Sequence, residues 1–125
     1  MSIAYWCILI AAILPYPLTI LAKAGKNFNN HAPREQLAHA EGYKKRAYWA
    51  QLNAFEALPA FAAAVIVAHL QHVTQSTVDT LALVFITMRV LHATFYILDK
   101  AALRSIAWAI GFACVIGLFV SSGLV

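Results

Sequence analysis

Four long apolar runs decide what this chain can fold into. Ile3 to Ala22 is 20 residues without a charge, and Ser105 to Val125 is 21 without one. Ala47 to Val73 carries a single charge, Glu56, and Thr80 to Leu98 carries only Arg89. A bilayer is crossed by about 20 mostly apolar residues in a helix. Lipid leaves backbone groups without water, so open strands are excluded. The runs therefore predict an all-α integral membrane four-helix bundle. Helices are expected at about 2–23, 45–73, 77–99 and 102–124, as a single domain over 1–125 with a long loop at 24–44. Only 11% of the 125 residues are charged, against about 25% in a soluble domain. The first run lacks a basic n-region and is long for a signal peptide, so it reads as a span.

The basic residues give an expected orientation. Eight of nine lie at one end of the spans: Lys23, Lys26, Arg34, Lys44, Lys45 and Arg46 in or beside the first loop, Lys100 and Arg104 around the third. The second loop and both termini have none. The positive-inside rule makes the basic end cytoplasmic and puts both termini outside. The net charge of +4 is thus a topology signal. Basic residues are not interleaved with aromatics on a soluble face, so nucleic acid is not an expected partner, and lipids are. The second and third loops are tight, which makes neighbouring helices antiparallel. Pro15 and Pro17 should bend the first helix, and Pro59 should kink the second. "STVD" at 76–79 has the form of a capping box and suggests the start of the third.

The polar residues inside the spans fall at helical spacing. Arg46, Asn53 and Glu56 stand at i, i+7 and i+10, within about 80° of one helix face, and Trp49 lies on the same stripe. Arg89, His92, Tyr96 and Asp99 repeat the pattern on the third helix. Arg104, Ser105 and Trp108 open the fourth. Ionisable residues at such depth face protein or water and are functional-site candidates. The alternative is that Glu56 and Arg89 pair and lock two helices together. His69 and His72 are three apart, but only Asp79 could join them as a ligand, and no metal site is expected. Cys7 and Cys114 are in no metal or redox spacing and read as packing residues. No phosphate loop, zincin motif or nucleophile elbow is present. A small transporter would usually place a carboxylate in the first span, which has none.

Four stretches carry a family resemblance over nearly the whole chain: "NNHAPREQL", "RAYWAQLNAFEALPAFAAAVIVA", "RVLHATFYILD" and "LRSIAWAIGF". The chain resembles the MAPEG family, membrane-associated proteins in eicosanoid and glutathione metabolism. The resemblance implies a homotrimer with sites between protomers near the cytoplasmic face. It implies glutathione as co-substrate and a lipophilic small molecule as second substrate. On that analogy Asn53 and Glu56 are glutathione contacts, Glu56 accepting from the tripeptide's ammonium. Tyr96 resembles the helix-three tyrosine near the cofactor, and His92 stands where active members have histidine or tyrosine. Arg104 resembles the catalytic arginine that holds the thiol as thiolate, with Ser105 its neighbour. Several glutathione-using members have arginine where this chain has Trp49, and some where it has Leu52. Arg46, Lys44, or Lys23 and Lys26 are the candidates to compensate. The expected function is a membrane-bound glutathione-dependent transferase or peroxidase acting on lipophilic electrophiles. The alternative is a non-catalytic membrane protein of this fold that binds lipids or a partner.

Overall fold

A computed structural model describes residues 1–25 and 27–125. Among the described residues the chain is all-helical: α1 (Ile3–Ile13), α2 (Pro15–Ala22), α3 (Pro33–Ala38), α4 (Gly42–Leu70), α5 (Gln75–Ile97) and α6 (Ala101–Gly123). Four helical segments are long and apolar enough to cross a membrane: Ile3–Ala22, which joins α1 to α2, and α4, α5 and α6. They form the expected bundle with antiparallel neighbours. The long loop and the α5–α6 turn lie at one end. The termini and the α4–α5 turn lie at the other.

The first span is broken where the prolines dictate. Leu14 keeps helical angles and donates to the Ile10 carbonyl at 2.9 Å. Pro15 and Pro17 cannot donate, so the ladder is interrupted and α2 begins with proline in its first turn. Pro59 lies inside α4, which continues through it for 29 residues in all.

The helices meet through small residues, as close backbone approach in lipid requires. The main core joins Ala4, Cys7 and Ala11 of α1, Ala64 and Ala68 of α4, Ala82 of α5 and Cys114 of α6. Its bulk comes from Phe61 and Phe85, stacked with centroids 3.9 Å apart. Both cysteines are buried there. The long loop is ordered by α3, whose Leu37 packs with Ala22 and Ala47. Thr19, Thr87, Thr94 and Ser122 each donate their hydroxyl to the carbonyl four residues back, which satisfies those four hydroxyls within the helix.

The start of α5 differs from the capping-box expectation. The helix begins at Gln75 with Thr74 as its N-cap. Asp79 instead reaches across the bundle and accepts from the Ala4 backbone N–H at 2.9 Å, and from Gln75 Nε2 at 2.8 Å. A first-turn amide of α1 is thus satisfied by a carboxylate from another helix. Beside it His69 Nε2 meets Ser2 Oγ at 2.9 Å, His69 Nδ1 meets the Val65 carbonyl at 2.8 Å, and the Tyr5 ring stacks on the imidazole at 3.9 Å. One ring nitrogen of His69 is thus fixed by its own helix, which aims the other at the N-cap of α1. Helices α4 and α5 end alike, with His72 (φ 57°) and Asp99 (φ 60°) left-handed. The next amides, of Val73 and Lys100, bond back to Ala68 and Phe95. These are Schellman closures with non-glycine residues where glycine is usual.

Candidate functional site

Three helices converge near the end that carries the long loop. Helix α4 presents Trp49, Leu52, Asn53 and Glu56, successive turns of one face. Helix α5 contributes Arg89, His92 and Tyr96 from its last turns. The tight turn at 98–100 brings the first turns of α6 back against α5, with Arg104, Ser105 and Trp108.

Arg89 is 4% exposed and carries the deepest charge. Its Nη2 donates to Asn53 Oδ1 at 2.8 Å. The interior alternative of an Arg89–Glu56 lock is replaced by this charge-assisted bond to an amide, and Glu56 stays exposed within the protomer. Above it Tyr96 is the hub. The Arg104 guanidinium lies over its ring at 4.4 Å, His92 meets it edge-on at 5.5 Å, and the Trp49 ring stands tilted at 6.3 Å. His92 is 3% exposed, and its Nδ1 has no hydrogen-bond partner within the protomer.

Three clefts share Asn53 as a wall. One of about 340 Å³ lies between Trp49, Leu52, Glu56 and Tyr96. A second, of about 230 Å³, is lined by His92, Tyr96, Arg104, Ser105 and Trp108. A third, of about 200 Å³, runs deeper and is apolar: Ala57, Ala60, Phe85, Phe112 and Val115, with Glu56, Arg89 and Trp108. Asn53, Glu56, His92, Tyr96, Arg104 and Ser105 thus border one connected seam. Arg46 stands apart from it. Its Nε donates to the Ile97 carbonyl at 3.0 Å, satisfying the open C-terminal end of α5. Of the other candidate cations, Lys44 faces the loop cavity beside Gly25, and the Lys23 ammonium sits 5.4 Å from the Phe28 ring. Lys26 lies outside the described residues. Two further residues, Arg89 and Trp108, border the seam. The depth of Arg89 marks it as a functional-site candidate, with pairing to Glu56 as the structural alternative. Trp108 has the signature of any lipid-facing aromatic, and only its place between two clefts distinguishes it.

The seam offers a carboxylate for a ligand cation, a guanidinium near an open cleft for an anion, and an apolar continuation for a hydrocarbon body. Among the described residues no group of three His, Cys, Asp or Glu side chains is placed to hold a metal ion. The family model described as MAPEG family matches residues 3–124. No curated protein and no solved structure matches the chain.

Proposed function

The chain belongs to the MAPEG family, and from that premise we propose that it is a membrane-bound glutathione-dependent transferase or peroxidase acting on lipophilic electrophiles. Membership gives the general setting, a membrane protein of glutathione and eicosanoid metabolism. The observation that carries the finer reading is the seam, where Glu56, Tyr96, His92, Ser105 and Arg104 flank clefts joined at Asn53. In this reading Glu56 accepts from the ammonium of glutathione and Asn53 donates to its backbone. Arg46, fixed against Ile97, adds positive potential at the rim. Three copies of the chain assemble, and the site lies at the cytoplasmic end.

Arg104 is the catalytic residue. A free thiol ionises near pH 8.5, so a neighbouring cation is needed to hold the thiolate at neutral pH. The Tyr96 ring keeps the guanidinium in place by a cation–π contact without consuming its N–H donors. The thiol proton leaves to solvent and the sulfur attacks the electrophilic carbon. The C–S bond forms as the displaced electron pair departs with the leaving group. With a hydroperoxide, sulfur attacks one oxygen, the O–O bond breaks and the alkoxide takes a proton. A second glutathione then releases water from the sulfenic acid and yields the disulfide. The apolar cleft beyond Asn53 suits the hydrocarbon part of the second substrate.

The test is the ultraviolet thiolate band of glutathione added to purified protein. The wild type should show it. Arg104→Ala should lose it and lower turnover about a hundredfold, the usual loss for one transition-state donor. An unchanged band in that variant overturns the mechanism. A second reading, a non-catalytic lipid- or partner-binding protein, is favoured by one observation: Trp49 and Leu52 leave the Glu56 cleft without a basic wall residue. Calorimetry that detects lipid binding but no glutathione binding would select it.

A further inference from the structure

The Glu56 cleft poses an electrostatic problem. Its lining is Trp49, Leu52, Asn53, Glu56 and Tyr96, so its one charge is negative. Glutathione carries two carboxylates and one ammonium, and an anionic cleft would repel it. Two of the site's guanidinium groups are already committed, Arg89 to Asn53 and Arg46 to Ile97. Yet each aromatic wall of the cleft has a cation seated on it. Arg104 lies over Tyr96 at 4.4 Å, and the Lys45 ammonium lies over Trp49 at 5.4 Å.

Resting on the reading above, we propose that Lys45 is a specificity-determining residue of this site. Its ammonium, steadied on the Trp49 ring, binds the C-terminal carboxylate of a short peptide whose amino end is held by Glu56. The two residues stand eleven apart on α4. That is about 16 Å along the axis, and about 20° around it, so both address one face. The Trp49 ring that carries the Lys45 ammonium lies between the two residues on that face, and long side chains can close the gap to about 10 Å. A tripeptide extends to about that length. A single amino acid has both charges too close together to engage both residues. The cleft therefore measures the separation of two opposite charges. Trp49 holds the lysine where a basic wall residue is lacking, and this restraint lowers the entropy lost on binding.

Calorimetry on purified, detergent-solubilised protein tests this with glutathione and with its glycyl ethyl ester, in which that carboxylate is blocked. Lys45→Gln should weaken glutathione binding about tenfold, the loss of one charge-assisted bond. Lys45→Arg should retain most of the affinity. The ester should bind the wild type about tenfold more weakly than glutathione does, and should bind Lys45→Gln no worse than it binds the wild type. The thiolate band at saturating glutathione should be the same in Lys45→Gln as in the wild type, since Arg104 is untouched. If Lys45→Gln binds glutathione normally, or if the ester effect persists undiminished in that variant, the lysine only decorates Trp49 and the proposal falls while the glutathione reading stands. If the wild type does not bind glutathione, both fall.

Discussion

Asn53 has the most demanding position of any single residue. It lines all three clefts and accepts from a guanidinium that is almost wholly buried. Removing one partner of such a bond leaves the other desolvated and alone, which costs more than removing both. Asn53→Leu should therefore lower stability by about 2–3 kcal/mol, read by denaturant titration in mixed micelles. Asn53→Leu combined with Arg89→Met should recover part of that loss. A double variant no better than the single would show that the bond to Asn53 does not hold Arg89. The sequence made these polar residues visible because helical spacing collects them into stripes. It could not say which residue Arg89 would choose. Glu56 and Asn53 lie on one face of α4, and only the register between α4 and α5 sets the amide against the guanidinium. Trp108 was legible as a neighbour of Arg104 and Ser105 but not as a cleft wall, because lipid and a cleft ask for the same kind of side chain.

Among the elements, the helix ends repay study. Local patterns misassigned Asp79, because a capping box is a rule about one helix and this carboxylate serves another. Its acceptor role predicts that Asp79→Ala costs about 1 kcal/mol, the usual loss of a helix-end acceptor. Hydrogen exchange should localise the effect, with the Ala4 amide losing protection while the α5 interior keeps it. Loss of protection in the first turn of α5 instead would return Asp79 to the capping-box role. His72 gives the opposite sign. A left-handed non-glycine residue is strained by about 1 kcal/mol, and the Schellman position favours glycine. His72→Gly should raise stability by roughly that amount in the same micellar titration, and a neutral or negative result would remove the strain argument.

Over the whole molecule, four apolar helices and tight turns were readable from hydropathy alone, because a bilayer leaves a chain few choices. The path of the long loop was not. Its order depends on Leu37 finding Ala22 and Ala47, a contact between three distant parts of the chain. Sidedness and assembly are open to direct measurement. With the basic end cytoplasmic, Gln71→Cys should react with an impermeant maleimide in intact cells, and Asn30→Cys only after permeabilisation. The native cysteines are buried and should stay silent. The reverse pattern would invert the topology and move the site to the other face. Mass measurement of the purified protein should return three protomers per particle, and a monomer that still produces the thiolate band would refute a site shared between copies.

The interruption at Leu14 divides the first span into pieces of unequal freedom. Ser2, His69 and Asp79 pin α1 at its N-terminal end, while α2 rests on α4 through Leu18 against Ala50 and Ala54. With the proline ladder gap between them, flexing of this span concentrates at that joint rather than spreading along it. Each half keeps its own packing surface, and the joint lets the span follow both without straining either helix.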